Sequence, residues 1–185
     1  MLRISLILIS LCFVQVEPCD LPMILPKPVT TVQAVPEKPV ILHSISLQKF
    51  LDKLAYLESR DSISIVSSTG YLGKYQIRLS TVKALGFDVT QEEFLNREAL
   101  QDSVELSLLR YNKRVLNPYI KQYEGQTIDS VYITKAGILA GSHLVGAGGV
   151  ISFLKNDTAC AVQDGNGVSV KKYLRLFSQY HLEEI

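Results

Sequence analysis

The sequence has no tryptophan and only three cysteines in 185 residues, and it lacks an excess of charge of either sign. So few cysteines exclude a disulfide scaffold. The 19 basic side chains are balanced by 18 acidic ones, whereas electrostatic nucleic-acid binders normally have a basic excess, so we expect no nucleic-acid partner. The motifs GxxxxGK[ST], GxGxxG, HExxH and paired CxxC are also absent, and we expect no cofactor and no metal.

Apolar residues are plentiful but unevenly placed. They make up 47% of the chain, which excludes intrinsic disorder and suits a packed core. The basic start Met1–Arg3 leads into an apolar run over residues 4–16. This run is shorter than the ~20 residues of a membrane span. It predicts a signal sequence over residues 1–17 and export to the periplasm or the medium. A buried N-terminal helix is the alternative interpretation.

Six of the seven prolines lie between Pro18 and Pro39. Such a stretch favours an extended backbone, so residues 18–39 are predicted to be a linker. Cys19 at its start would attach the protein to a membrane if it were lipidated, although the preceding residues match a lipidation site poorly. In an oxidising compartment Cys19 could instead pair with Cys160. Residues 40–185 remain as one domain, which we expect to be monomeric.

The pattern of this domain predicts a mainly α fold with a short excursion. Leu47 and the apolar residues after it follow helical spacing, and Ser46 is the predicted N-cap of their helix. Ser62–Ile77 is rich in β-branched and aromatic residues and contains two glycines, which predicts a β-hairpin or loop. A short helix over Ser80–Leu85 should stop at Gly86.

Further helices are predicted from their caps. Thr90 and Glu93 match a capping box. A long helix should run from about Asn96 to just before Pro118. Its predicted buried face consists of Leu100, Val104, Leu108, Tyr111 and Val115. Two later helices should begin at the caps Thr134 and Ser169 and end near Gly146 and Tyr180, respectively.

Glu58 is the candidate for chemistry, because it continues the apolar stripe of the first helix. It follows Leu54 by four residues and Leu51 by seven, which places all three on one face. Burial and the negative end of the helix dipole would both favour the protonated carboxyl, the form that a general acid needs. The alternative is a glutamate that frays into solvent at the helix end.

Four segments in order resemble the catalytic domain of lytic transglycosylases, in the lysozyme-like superfamily. In that family a Glu-Ser pair ends a helix, a Gly-rich stretch ending in Gln follows, and an Ala-rich helix later runs into a Gly-x-Gly turn. In some phage and bacterial members a tyrosine on the closing helix faces the catalytic glutamate. The corresponding residues here are Glu58–Asp61, Gly70–Ile77, Ala140–Val150 and Asp164–Gly167 with Ser169 and Tyr173.

The resemblance implies an α+β lysozyme-like fold and cleavage of peptidoglycan glycan strands. Glu58 would then act alone as acid and base on the linkage between N-acetylmuramic acid and N-acetylglucosamine, since the substrate's own hydroxyl is the nucleophile. Tyr173 would orient Glu58, and Ser59 would support the cleft or merely cap the turn. Tyr71, Tyr75 and Gln76 are candidates for stacking on sugars and binding acetamido groups.

Two segments depart from the family pattern. Where the family often has Gly-Leu-Met-Gln, this chain has Gly73–Gln76, and Leu144 occupies the usual position of an asparagine that holds the N-acetyl group. His143 is either a substitute for that asparagine or a neutral histidine packed near a helix end. Asp61 is expected to form a turn with Ser62, and Asp164–Gly167 to form a tight turn rather than a calcium loop.

Three functional classes remain open from the sequence. The first is a lytic transglycosylase, with a water-using muramidase or chitinase as its near neighbour. The second is a non-catalytic glycan-binding module of the same fold, which the missing asparagine favours. The third is a helical interaction module of an envelope complex.

Overall fold

The computed structural model describes residues 45–156, 162–165, 167–183 and 185. The predicted signal sequence, the predicted linker and all three cysteines lie outside these residues. The elements, in chain order, are α1 (Ile45–Ser59), β1 (Tyr71–Leu72), β2 (Ile77–Arg78), α2 (Leu79–Ala84), α3 (Gln91–Leu95), α4 (Glu98–Tyr123), β3 (Thr127–Ile128), β4 (Val131–Tyr132), α5 (Lys135–Lys155) and α6 (Val170–Phe177).

The domain is mainly α, as predicted, and the predicted hairpin is present directly after α1. Strands β1 and β2 pair antiparallel with Leu72 opposite Ile77, and both of these side chains are buried. The sequence pattern did not predict the second hairpin, formed by β3 and β4. Two-residue strands are too short to show a period-2 pattern.

Helix α1 buries the predicted apolar stripe. Phe50, Leu51 and Leu54 are each at most 1% exposed, so its stability comes from packing of one face against the core. The prediction of Ser46 as the N-cap is wrong, because α1 already begins at Ile45. The Ser46 hydroxyl instead accepts a hydrogen bond from the backbone N–H of His181, at 2.8 Å.

The short helices follow their predicted signals closely. Thr90 caps α3 in a complete capping box: its hydroxyl accepts from the Glu93 N–H, and the Glu93 carboxylate accepts from the Thr90 N–H. This arrangement satisfies donors that a helix start otherwise leaves unpaired. Helix α2 ends at Ala84, and Gly86 follows with a φ of 94°.

Helix α4 does not break before Pro118, which corrects the predicted end. It continues to Tyr123, with Pro118 inside. A proline removes one intrahelical hydrogen bond. Here Pro118 and Arg114 are both exposed, so water can solvate the carbonyl that loses its partner, while buried Leu116 and Ile120 anchor the helix on either side.

The predicted buried face of α4 is also wrong. Leu100, Leu108, Tyr111 and Val115 are only half-buried, and Val104 alone of the five is buried. The observed face is rotated by about one residue and includes polar side chains. It consists of Gln101, Val104, Glu105, Leu106, Leu109, Asn112, Leu116 and Ile120.

Helix α5 packs against α4 and α6. Its N-cap Thr134 accepts a hydrogen bond from the Gly137 N–H at 3.1 Å. A side chain at Gly137 would lie 2.7 Å from the Leu174 carbonyl oxygen, so this glycine permits the close approach of α6. By length and composition α5 could cross a membrane, but 67% of its apolar window is buried inside the domain.

The predicted end of α5 near Gly146 is a kink instead. Gly146 has φ 71° and ψ 170°, and the helix resumes beyond it to Lys155. Ser169 caps α6, as predicted, by accepting from the Lys171 N–H. Helix α6 ends at Phe177 and not at the predicted Tyr180.

An aromatic cluster joins α6 to α1. The Phe50 and Phe177 rings meet edge to face with centroids 4.9 Å apart, and Tyr180 packs edge-on against Phe50 at 5.8 Å. Tyr173 stacks on Phe177 at 5.7 Å. Such pairs add to burial through their ring geometry. The cluster brings the hydroxyl end of Tyr173 to the C-terminal end of α1.

Candidate active site

Glu58 is the penultimate residue of α1, at the end of its buried stripe. Its side chain is 16% exposed, so it neither frays into solvent nor is sealed in the core. The interpretation of Glu58 as a frayed helix end is therefore wrong. A carboxyl group in this position has one side fixed by protein and another side open to a ligand.

Tyr173 holds one oxygen of this carboxyl group. Its hydroxyl donates a hydrogen bond to Oε1 of Glu58 at 2.5 Å, which is the contact that the resemblance implied. Burial and, after it, the Glu58 carboxylate raise the pKa of Tyr173 above its usual value, so the hydroxyl keeps its proton. Among the described residues, Oε2 of Glu58 accepts no hydrogen bond. This oxygen remains available to a substrate.

His143 lies on the other side of Glu58, in the interior. Its Nε2 is 4.0 Å from Oε1 of Glu58 and 2.9 Å from the carbonyl oxygen of Tyr75. Its Nδ1 is 3.1 Å from Oε2 of Glu105 on α4. Both ring nitrogens therefore lie close to oxygen atoms. Among the described residues the Nδ1–Oε2 contact does not have hydrogen-bond geometry, so the pair is held by charge, which requires the imidazolium form of the ring.

The surroundings of His143 favour its charged form. Burial opposes the charge, but the Glu105 carboxylate, with smaller contributions from Glu58 and the Tyr75 carbonyl, raises the pKa of His143 to about 9. Of the two sequence interpretations, packing in the interior is correct. The raised pKa favours the charged ring over the neutral ring that the sequence pattern suggested, because that pattern did not reveal the buried carboxylate beside it.

Glu105 is the residue of this site that sequence reasoning missed. It is completely buried, at 0% exposure. Within the described part of the chain, neither of its oxygens has a hydrogen-bond partner of standard geometry, so the charge of His143 is its compensation. The signal was available: Glu105, Leu109, Asn112 and Leu116 follow one another at helical spacing, as Glu58 follows its own stripe.

Ser59 ties the end of α1 to the hairpin. It is 9% exposed, and its hydroxyl donates to the Lys74 carbonyl at 2.9 Å and accepts from the Ser62 N–H at 3.0 Å. Ser59 thus supports the turn beside Glu58. Asp61 adopts a left-handed turn conformation with a φ of 63°, which agrees with the turn predicted there.

Tyr75 does not line a cleft, which corrects the prediction of a stacking role. Its side chain is 2% exposed, and its hydroxyl donates to Asp102 at 2.8 Å. Burial is the main cause that raises the pKa of Tyr75, followed by Asp102. Tyr75 thus offers its backbone carbonyl to His143 while its ring anchors the hairpin to α4.

A buried amide and an ion pair reinforce this anchor. Oε1 of Gln101 accepts from the Lys74 N–H at 2.7 Å. The Lys74 ammonium lies 2.9 Å from Asp102 and 3.0 Å from Glu98. Burial alone would lower the pKa of Lys74, but these two carboxylates raise it above its usual value. The hairpin therefore has a fixed position relative to α4.

Tyr71 is exposed on the hairpin, whereas Gln76 is half-buried there. Tyr71 is 36% exposed, and the Arg78 guanidinium lies over its ring at 4.5 Å. Gln76 has a φ of 49° and donates its side-chain amide to the Gly73 carbonyl at 2.9 Å. Among the described residues, neither side chain hydrogen-bonds to Glu58.

Leu144 and the turn at Asp164 follow the family pattern only in part, and Asp164 adds to the negative charge near Tyr173. Leu144, at the position of the family's asparagine, packs against the core. Asp164 closes a tight turn, since its backbone carbonyl accepts from Gly167 at 3.0 Å and its N–H donates to Val168 at 3.0 Å. The turn was predicted; Asn166 within it lies outside the described residues.

A surface depression of about 500 Å³ lies at the other end of α1, lined by Ser46, Lys49, Gln179 and Tyr180. Ser46 precedes Glu58 by twelve residues, and a helix rises about 1.5 Å per residue. The depression is therefore separate from the carboxyl group.

Comparison of the chain with protein-family models, curated proteins and solved structures finds no match.

Proposed function

We propose that this chain is an exported, lysozyme-like lytic transglycosylase that cleaves peptidoglycan between N-acetylmuramic acid and N-acetylglucosamine. The observation that carries the proposal is the hydrogen bond from Tyr173 to Glu58. It fixes a partly exposed carboxyl group at the end of a helix. A tyrosine of the closing helix that faces this glutamate is what the family resemblance implies.

The proposed reaction needs only one carboxyl group. Glu58 donates its proton to the glycosidic oxygen as the bond from that oxygen to the anomeric carbon breaks. The resulting Glu58 carboxylate removes the proton of a hydroxyl on the same muramic acid, and this oxygen bonds to the anomeric carbon. The product is an anhydro sugar, and no water is consumed.

The burial of Glu105 fits a single-carboxyl mechanism. Most glycosidases place a second carboxylate on the substrate. Glu105 is completely buried behind His143 and has no access to a glycan. Tyr173 leaves Oε2 of Glu58 without a hydrogen bond within the described structure, so this oxygen can interact with the substrate.

Digestion of purified peptidoglycan tests the proposal. The wild type is expected to release anhydro-muropeptides, detected by mass spectrometry, and Glu58→Gln is expected to release none. The exposed Glu92→Gln is the matched control and should keep wild-type activity. Reducing-end products from the wild type would identify a hydrolase instead.

Binding to sacculi separates the remaining class. If the wild type sediments with sacculi but releases no product, the chain is a glycan-binding module. If it neither binds nor cleaves, the glycan proposal is wrong.

A further inference from the structure

The buried pair Glu105–His143 is the feature that the reaction scheme above leaves unused. A carboxylate at 0% exposure and an imidazole with a side chain 5% exposed meet at 3.1 Å behind Glu58. Burying two ionisable groups costs free energy unless they compensate each other. A core of this size could hold an apolar pair at the same positions, so the pair points to a role beyond packing.

We propose that Glu105 and His143 are positioning residues for Glu58: Glu105 keeps His143 cationic, and this cation stabilises the Glu58 carboxylate formed when its proton passes to the leaving oxygen. The stabilisation of Glu58 during the reaction rests on the proposed function. The charge pair itself is a property of the folded chain and is testable without a substrate.

Geometry carries the proposal. The Nε2–H of His143 donates to the Tyr75 carbonyl at 2.9 Å, which directs this N–H away from Glu58. The ring therefore acts as a fixed positive charge 4.0 Å from Oε1, and not as a proton donor to it. Charges at this separation in a partly buried site interact by several times their strength in water.

Four elements surround this charge. Glu105 reaches it from α4, Glu58 from α1, and the Tyr75 carbonyl from the hairpin. Tyr173 on α6 meets the same Oε1 from the other side. The arrangement places the His143 cation between two carboxyl groups, that of Glu105, which is buried, and that of Glu58, which is partly exposed. When Glu58 is protonated the set is neutral, and when Glu58 is ionised it carries one negative charge.

A titration of the His143 ring by NMR tests the charge pair. The wild-type ring is expected to titrate near pH 9. In Glu105→Gln, which keeps the shape but removes the counter-charge, the midpoint should fall by about one unit or more. A wild-type His143 that is neutral at pH 7 would overturn the proposal, whatever the chain does to peptidoglycan.

The pH profile of cleavage tests the catalytic part. In His143→Gln the alkaline limb of this profile should move to higher pH, because the fixed positive charge beside the reacting carboxyl group is gone. His143→Lys returns a positive charge and should restore the limb.

A purely structural role would give a different result. Loosening of the site would lower activity at every pH and leave the limb in place, and that outcome would contradict the proposal. The exposed His181→Gln is the matched control and should leave both limb and rate unchanged. If the wild type does not cleave, the proposed function fails while the NMR titration still decides the charge pair.

Discussion

Tyr173 and Glu58 stand 115 positions apart in the chain, and the hydroxyl of one donates a 2.5 Å hydrogen bond to the carboxyl oxygen of the other. The contact exists because α6 packs on α1 through the rings of Phe50 and Phe177. The orientation of the candidate catalytic carboxyl therefore depends on the core, which is close-packed and resists displacement.

Tyr173→Phe should lower activity while preserving the fold. The ring keeps its stacking on Phe177, but the donor to Glu58 is lost. Hydrogen bonds to charged groups contribute about 1.5–3 kcal/mol, so we expect kcat/KM on peptidoglycan to fall by roughly 10–100-fold. Thermal unfolding measured alongside should show a small change in Tm.

The control for this substitution is Tyr132→Phe, at a tyrosine 58% exposed on β4. It should behave as wild type in both assays. Equal rates for Tyr173→Phe and wild type would show that the hydrogen bond contributes nothing to the reaction.

Ser59→Ala should destabilise the junction between α1 and the hairpin. It removes the donor to the Lys74 carbonyl and one acceptor of the Ser62 N–H. The Ser62 N–H keeps the Ser59 carbonyl as an acceptor, at 3.4 Å, so the Lys74 carbonyl is the group left unpaired. Leaving a buried polar group unpaired costs about 1–3 kcal/mol, so the free energy of unfolding in urea should fall by roughly 2 kcal/mol. Ser103→Ala, whose exposed hydroxyl bonds only within α4, should change it by less than about 0.5 kcal/mol.

The sequence predicted the parts of this fold that depend on local pattern. The stripe of α1, the capping box at Thr90 and the caps Thr134 and Ser169 are all present. Each of these signals lies within one helix turn or one helix face, so no tertiary information is needed to find it. The position of Glu58 followed from the same stripe.

The parts that failed depend on contacts between distant segments. The predicted face of α4 counted only apolar residues. Gln101 is buried because the Lys74 N–H pairs with its amide, and Glu105 is buried beside His143 on α5, whose charge offsets its own. Tyr75 was expected in a cleft, but Asp102 on α4 draws its hydroxyl inward. Contacts between distant segments decided both outcomes, and the spacing of residues within one helix carries no information about such contacts.

Gly73→Ala should be much more destabilising than Gly70→Ala. Both glycines have positive φ, 69° and 84°, so both substitutions add backbone strain of about 1–2 kcal/mol. A Cβ at Gly73 would also lie 2.2 Å from Oε1 of Gln101, whereas a Cβ at Gly70 meets nothing within 4 Å. Urea unfolding of the two variants therefore isolates the cost of the close contact.

A double-mutant cycle checks that Gln101 is the cause of this difference. Gln101→Ala alone should be destabilising, because it unpairs the Lys74 N–H and the Ile63 carbonyl and removes one donor from the Phe94 carbonyl. The double variant Gly73→Ala with Gln101→Ala should lose less unfolding free energy than the two single variants lose in sum, by about 1 kcal/mol or more. Simple additivity would mean that the two sites do not interact.

Stability should decline as the pH rises between about 6.5 and 9, on account of His143. Its pKa is raised from 6.5 to about 9 in the folded protein. Below pH 6.5 both the folded and the unfolded states hold the proton. Above it the unfolded state releases the proton while the folded state retains it, so the free energy of unfolding falls with pH by about 3 kcal/mol in total.

Urea unfolding at several pH values measures this slope. The reference is Glu105→Gln combined with His143→Gln, because the double variant leaves neither an ionisable ring nor an unpaired buried carboxylate. A single His143→Gln would not serve, since it would leave the buried Glu105 side chain without its compensating charge. The double variant should be nearly flat between pH 6.5 and 9, and a wild type equally flat there would show that His143 is not charged in the folded chain.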